Sequence, residues 1–551
     1  MRIGDSGPVS PQRRAASTGV ARVGTEPAIL LVPPPPRPVA PASPLRARVL
    51  DSRALAVLAP SALALALGMW GIGRRGTLWG DEAVTYEVAH RAPGQIWGTA
   101  GHADAVHGLY YLLMHGVFAL WDGGLVALRL PSVLAVAAAS AGVALLGRAL
   151  AGPRAGLLAG LVLPLLPAVQ RYAQEGRSYA LVCALVTWAS WLLAYALARP
   201  ARWRWAAYAG VTLTACLLHE FAVLTLLAHG VTVVCSTPPH LSARTRRAWG
   251  TAACAVGAGL LPLAVFSTTQ SAQVDWIGAP GARQVLGFAA VTVVGVACAR
   301  TAPRGPGTAA GPCAAAPPVA SGAAPPVLSR SPLPRLEALA LPLLILPTAL
   351  LMALTPLRPF YVERYVLSYT VGLALLLGAA LDRSRGRGAG ADTARRRAVA
   401  VVAVAAALTA LWPVGTYLRT PQSRQNDATA VARAVRESAR PGDGLLFLPA
   451  RRRVWTLARP GDFRGLTDLA LDRSPVASDT LHGTELPAAR VRERMLAVRR
   501  IVAVHDLPGQ PLERAGGEAV KRAVLRAYFE ECGSRTVTRA RITVHARPGH
   551  C

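Results

Sequence analysis

Residues 125–147 read LVALRLPSVLAVAAASAGVALLG. Arg129 is the only ionisable side chain in this stretch. As a helix it is long enough to cross the roughly 30 Å of hydrocarbon in a bilayer. Blocks of similar character recur at approximately 53–72, 155–170, 178–198, 206–218, 221–236, 249–267, 284–299, 336–353, 363–381 and 398–414, so there are about eleven candidate spans. Backbone in lipid must satisfy its own hydrogen bonds, and apolar runs of this kind do so as helices. The expected fold is mainly α, a polytopic transmembrane helical bundle with a small C-terminal α/β domain. Blocks 206–218 and 221–236 are short, and read as a hairpin of short helices with His219-Glu220 at its tip.

The chain has 551 residues, 52% of them hydrophobic, and a formal charge of +30. Such a charge raises the question of nucleic acid. The basic residues are nearly all Arg and lie scattered in short loops, with no basic patch interleaved with stacking aromatics, so no nucleic-acid partner is expected. Their distribution follows membrane topology instead. With the N-terminus cytoplasmic, the inside loops collect Arg148 and Arg154, Arg199 to Arg204, Arg244 to Arg247, Arg300 to Arg335, and Arg383 to Arg397. The outside loops collect Asp81, Glu82, Glu87, Asp104, Glu175, Asp275 and Glu363. This is the positive-inside pattern, and an odd number of spans puts the C-terminal region outside. Arg, Ala, Gly and Pro in place of Lys, Ile and Asn fit a GC-rich bacterial genome, so the expected location is a bacterial plasma membrane.

Residues 1–52, rich in Pro, Ala and Arg, read as a disordered cytoplasmic tail. Residues 53–414 form the transmembrane domain, with 73–124 as the first extracytoplasmic loop and the Pro/Gly/Ala-rich 301–334 as a cytoplasmic linker. Residues 415–551 read as an extracytoplasmic α/β domain: helices at 427–440, 487–499 and 517–530, strands at 444–448 and 501–504, and a β-rich end at 535–545. Five of the eight Cys sit in apolar blocks as small hydrophobes, and no metal-binding Cys spacing occurs. Cys532 and Cys551 are either a disulfide of an extracytoplasmic domain or two free thiols.

The first loop contains Trp79-Gly80-Asp81-Glu82, then His102, Asp104 and His107, then Leu109-Tyr110-Tyr111-Leu112-Leu113. The stretch Tyr110 to Trp121 suits a helix in the membrane interface, with Tyr110, Tyr111 and Trp121 at headgroup level. Further along the outside face come Gln170 to Tyr179, His219-Glu220, the group Gln270, Gln273, Asp275 and Trp276, and Arg358 to Tyr365. Ionic groups at such positions are expensive near lipid unless they face a cavity.

Taken in order, Asp81-Glu82 after the first span, Asp104-x-x-His107 leading into Leu109-Tyr110-Tyr111, Arg129-Leu130-Pro131-Ser132, Gln174-Glu175-x-Arg177-x-Tyr179 and Arg364-Tyr365 resemble the GT-C membrane glycosyltransferases. The similarity is to the glycosyltransferase family 39 type, which includes protein O-mannosyltransferases and lipid A aminoarabinose transferases, over roughly residues 54–414. Gly108 stands where many members have proline. The resemblance implies transfer of a sugar, mannose being the commonest, from a polyprenyl-phosphate donor with inversion at the anomeric carbon. The acceptor is expected to be an extracytoplasmic glycan, protein or lipid, in cell-envelope glycan or glycoprotein synthesis.

The residue chemistry fits. An inverting transfer needs a base for the acceptor hydroxyl and cations for the leaving phosphate. Asp81 is the candidate base and Glu82 its orienting partner, or the two exchange roles. Arg177 and Arg364 are phosphate-binding candidates; Arg129 shares that role or only anchors its helix. Glu175 either holds an arginine or helps bind a divalent ion. Asp104, His107, Tyr110, Tyr111, Tyr179 and His219 complete the substrate-binding candidates. His102, Asp104, His107 and Glu175 are the metal candidates, with a divalent ion as the one possible cofactor. Two other classes stay open: a transporter or flippase for a lipid-linked saccharide, which would show internal repeats and broken helices at the bilayer midplane, and a non-catalytic membrane scaffold.

Overall fold

The computed structural model describes residues 44–236, 242–271, 277–300, 333–383, 391–424, 426–457, 459–510 and 516–551. The chain divides into two units, Met1–Val49 and Leu50–Cys551. The first helix, α1, runs Pro44–Met69. It therefore begins inside the stretch read as tail, while residues 1–43 and the linker residues 301–332 lie outside the described ones.

Three short helices follow, α2 (Gly80–Ala89), α3 (Pro93–His102) and α4 (Gly108–Leu120); α4 falls on the helix expected at Tyr110 to Trp121, and α2 and α3 stand where loop was expected. The bundle continues with α5 (Gly124–Ala151), α6 (Pro153–Val162), α7 (Pro167–Ala173), α8 (Tyr179–Ala198), α9 (Arg202–Leu218), α10 (Leu224–Ser236), α11 (Ser242–Thr269), α12 (Ala282–Arg300), α13 (Leu336–Ala353), α14 (Tyr369–Arg383) and α15 (Ala391–Leu418). Proline occupies the first turn of α3, α6 and α7, where its missing N–H costs nothing.

The chain is a multi-pass membrane protein. Six helices among the described residues are long and apolar enough to cross a membrane, seven if α6 and α7, bent by 63° at their junction, form one span. The expected eleven are not all of this length. Blocks 206–218, 221–236 and 363–381 fall on α9, α10 and α14, which at 17, 13 and 15 residues are shorter than the roughly 20 of a usual span. Block 398–414 falls on α15, whose apolar part is Ala405–Leu418.

Small residues let the central helices touch backbone to backbone, as membrane packing favours. A Cβ at Gly156 of α6 would lie 2.4 Å from the Ala144 carbonyl oxygen of α5, and one at Gly378 of α14 would lie 2.4 Å from the Ala159 amide of α6. On α11 and α12 the large apolar residues Leu261, Val265, Leu286 and Val293 face outward, as hydrocarbon contact requires.

The C-terminal domain starts with α16 (Ala428–Ser438), capped by the Asp427 side chain accepting from Ala430 N. Then come β1 (Gly444–Leu448), the single-turn α17 (Val454–Leu457), β2 (Thr467–Asp468), β3 (Leu471–Arg473), β4 (Thr484–Glu485), α18 (Ala488–Ala497), β5 (Arg500–Asp506), α19 (Gly516–Tyr528), β6 (Glu530–Val537) and β7 (Ala540–Ala546). The five-stranded sheet has the order β2-β1-β5-β7-β6, with β1 parallel to β2 and β5, and β7 antiparallel to β5 and β6. Both faces of β1 are covered, which is why Gly444 to Leu448 reads as unbroken apolar sequence. Leu446 packs with Ile501, Met495 and Leu525 on one face; Phe447 packs with Val504 and Ile542 on the other. Cys532 and Cys551 form a disulfide that ties the chain end to the edge strand β6.

Candidate functional site

The turn from α1 into α2 is built around a buried carboxylate. Left-handed backbone at Arg74 (φ 41°) and Arg75 (φ 55°) folds the chain back, and Arg74 Nη2 donates to both oxygens of Glu82 at 2.6 and 2.7 Å. Arg129 of α5 reaches the same two oxygens through Nε at 2.8 Å and Nη2 at 2.7 Å. The Gly176 amide adds a fifth bond at 3.1 Å. Glu82 and Arg129 are fully buried. Burial alone would raise the Glu82 carboxyl, but the guanidiniums of Arg129 and Arg74 outweigh it and hold the group at about 2.

Asp81, one residue earlier, faces the other way. Its side chain is 31% exposed, and its Oδ2 lies 3.6 Å from Arg364 Nη2 and 4.0 Å from Arg177 Nη2. Arg177 also approaches Asp104 at 3.7 Å and donates to the Tyr111 hydroxyl at 3.1 Å. Asp104 sits in left-handed backbone (φ 59°), a conformation Asp tolerates better than most residues. Its carboxylate accepts from His107 Nδ1 at 2.7 Å and from the Tyr111 hydroxyl. Burial would raise the Asp104 carboxyl, yet His107, Arg177 and Tyr111 hold it well below the usual range. The guanidinium of Arg364 lies over the rings of Trp79, Tyr179 and Tyr365, at 5.8, 5.7 and 5.5 Å. His219 packs at an angle against Tyr365 and Tyr179 and edge-on to His107. Burial, then the neighbouring His107, Arg364 and Arg177, push its imidazole well below the ordinary value. The buried Nε2 of His107 and Nδ1 of His219 have no hydrogen-bond partner among the described residues.

Many of these groups line one cavity of about 850 Å³ between the end of the bundle and the C-terminal domain. The sequence candidates Asp81, His102, Asp104, His107, Arg177, Tyr179, His219 and Arg364 all face it. Glu82, Tyr110, Tyr111, Arg129 and Glu175 do not. Tyr110 and Tyr111 are fully buried, because α4 packs its tyrosine face onto α2 and the bundle. Arg129 spends its donors on Glu82 and on the Ile72 and Thr77 carbonyls. Glu175 is 2% exposed and pairs with Arg424 at 3.7 Å; burial raises its carboxyl, with Arg424 and Arg364 opposing.

The proposed metal ligands do not converge. Among the described residues no group of three or more His, Cys, Asp or Glu side chains is arranged to hold an ion. His102 Nδ1 is bonded to the Gly98 carbonyl, and both Asp104 oxygens are engaged. Gln270 lines the cavity and ties α11 to the first loop through Ala105 N and the Ala100 carbonyl. Gln273, Asp275 and Trp276 lie outside the described residues.

Sequence reading missed the far wall. Asn426, Arg451, Arg452, Trp455, Thr480, Leu481 and His482 come from the C-terminal domain or its tether. The run Arg451-Arg452-Arg453 directly after an apolar strand was the available signal, since strand ends in α/β folds carry sites.

Fold and geometry define a class: the chain has the fold of the membrane protein ArnT. Among solved structures it is similar to ArnT from Cupriavidus metallidurans in the apo state, with a TM-score of 0.52 and 11% identity over 91% of this chain and 98% of that one. ArnT from the same organism bound to undecaprenyl phosphate gives a TM-score of 0.47 and 12% identity, over 89% and 97% of the two chains. No protein-family model and no curated protein sequence matches the chain.

Proposed function

We propose that this protein is an inverting glycosyltransferase that moves a sugar from a polyprenyl-phosphate donor to an extracytoplasmic acceptor. The observation that carries the reading is Asp81 between Arg364 and Arg177, at 3.6 and 4.0 Å, on the wall of a cavity between the end of the bundle and the C-terminal domain. A prenyl tail stays in hydrocarbon, each buried CH₂ contributing about 0.8 kcal/mol, while the sugar phosphate reaches water. Such a donor needs a polar chamber at the bilayer surface.

In the reaction, the Asp81 carboxylate takes the proton of the acceptor hydroxyl. The acceptor oxygen bonds to the anomeric carbon as the carbon–oxygen bond to phosphate breaks from the opposite face. The phosphate leaves with that electron pair, and Arg177 and Arg364 stabilise its charge. Glu82 positions the turn and does not exchange roles with Asp81, since both its oxygens are occupied by arginine. The orientation with the N-terminus cytoplasmic and the C-terminal domain outside agrees with the Arg-rich inside loops and with a disulfide in the C-terminal domain. Mannose is the first donor sugar to try, and a cell-envelope glycan or glycoprotein the first acceptor class.

The test uses purified full-length protein in lipid nanodiscs with a panel of labelled polyprenyl-phosphate sugars. Wild type is expected to consume one of them, and Asp81→Asn to do so at least about 10²-fold more slowly. Equal turnover by the two proteins, or consumption of no donor by either, overturns the proposal.

A further inference from the structure

Within helix α2 the only side-chain help at the N-terminus is Glu82 Oε2, which accepts from Trp79 N at 3.5 Å. Trp79, at the N-cap, carries no side-chain oxygen, and the first amides of any helix lack intrahelical partners. One of them is satisfied from 346 residues away: the Gly80 amide donates to Asn426 Oδ1 at 2.7 Å. Two further bonds lace the same segments together, Ala428 N to the Leu78 carbonyl at 2.9 Å and Leu78 N to Thr429 Oγ1 at 3.2 Å. The fit leaves no slack. A Cβ at Gly80 would stand 3.2 Å from Trp455 Nε1 and 3.3 Å from each amide atom of Asn426. Trp455 is 4% exposed and, like Asn426, borders the cavity that Asp81 faces.

Asp81 follows Gly80 directly. Its nearest cations are 3.6 and 4.0 Å away, beyond hydrogen-bond length, and no protein side chain among the described residues donates to its carboxylate. Its position is therefore set by its backbone, and the backbone is held from the C-terminal domain side. Displacing a reacting group by about 1 Å can cost roughly 10²-fold in rate.

We propose that Asn426 and Trp455 are positioning residues for the transfer: by clamping the Gly80 backbone they fix where the Asp81 carboxylate meets the acceptor hydroxyl. The C-terminal domain is then part of the catalytic apparatus. The inference rests on the reading of Asp81 as the base.

The experiment compares full-length wild type with Asn426→Ala, Asn426→Asp and Gly80→Ala, and with Asp81→Asn as control. Hydrogen exchange of the peptide containing Gly80, the thermal midpoint, kcat and donor KM are read for each. Asn426→Ala is expected to speed exchange at Gly80 and lower kcat roughly tenfold to a hundredfold, with donor KM within about twofold. Asn426→Asp keeps an oxygen for the Gly80 amide and restores both protection and most of kcat. Gly80→Ala keeps Asn426, favours the helix intrinsically, and lowers kcat by crowding the clamp without lowering the thermal midpoint. Should Asp81→Asn be inactive while Asn426→Ala and Gly80→Ala turn over at the wild-type rate, the clamp is overturned and the base reading stands. If Asp81→Asn is active, the base reading falls instead. If wild type consumes no donor in the panel, exchange decides, and unchanged protection at Gly80 in Asn426→Ala overturns the clamp.

Discussion

Arg129 meets both carboxylate oxygens of Glu82, at 2.8 and 2.7 Å, with neither side chain exposed to solvent. Removing one member of a buried pair leaves the other charge without compensation, at about 3–5 kcal/mol. Glu82→Gln is therefore expected to lower the thermal midpoint of the purified protein sharply. The loss should depend on pH. The folded carboxyl sits at about 2, below the roughly 4.3 of an unfolded Glu. A depressed acid contributes its stability fully above the unfolded value and loses it as pH falls through the folded one. The gap between wild type and Glu82→Gln should stay constant from pH 8 to about 5 and close toward pH 2. A gap that ignores pH would rule out this ion pair as its cause.

Glu175 should behave in the opposite sense. Burial raises its carboxyl, and Arg424 at 3.7 Å does not offset that. A raised acid favours the folded state most below its unfolded pKa, and the contribution is lost as pH rises through the folded value. Glu175→Gln should be as stable as wild type, or more so, at pH 7–8, with the difference fading toward pH 4. Strong destabilisation at pH 8 would show that Glu175 is held as a needed anion.

Arg364 offers a planar guanidinium to the cavity, stacked among Trp79, Tyr179 and Tyr365. Lysine keeps the charge but loses two-point phosphate recognition and the ring contacts. Arg364→Lys is expected to raise donor KM about tenfold, and Arg364→Gln to raise it further and to lower kcat. Titration with a polyprenyl phosphate lacking sugar checks the same residue without turnover, and unchanged affinity in Arg364→Gln would exclude a phosphate role.

The Cys532–Cys551 bridge closes a loop with a sequence separation of 19 at the exposed end of the C-terminal domain. A loop of that size is worth about 3 kcal/mol in the chain-entropy account. Cys532→Ser should lower the melting temperature of the protein and leave donor turnover at moderate temperature intact, since neither Cys borders the cavity. With the other six cysteines replaced by serine, thiol-reactive polyethylene glycol should shift the protein on a gel only after reduction. A shift of that variant without reductant would show the thiols to be free.

Much of this was readable in the chain itself. Runs such as 125–147 and 178–198 could only be helices in lipid, and they are α5 and α8. The helix read at 427–440 is α16, with Asp427 just outside it as its cap. Eight of the candidate residues share the cavity, because ionic groups beside apolar spans have few other places to go. Between the alternatives that the sequence left open, the contacts decide: Glu82 is held by Arg74 and Arg129, Arg129 anchors its helix to that carboxylate, and Glu175 pairs with an arginine, Arg424. The strands β2, β3 and β4, two or three residues each, are too short to leave a periodic signal.

Periodicity and hydropathy act over a turn or a span, so the order of residues alone settled the helical bundle and the α/β character of its C-terminal domain. Which of two adjacent carboxylates faces the cavity could not be read that way. Asp81 and Glu82 are neighbours on one helix, and they were sorted by partners 47 and 346 residues off: Arg129 draws Glu82 into the interior, while Asn426 holds Gly80 so that Asp81 points outward. Contacts across such distances exist only once the chain has folded, which is why they leave no local pattern in the sequence.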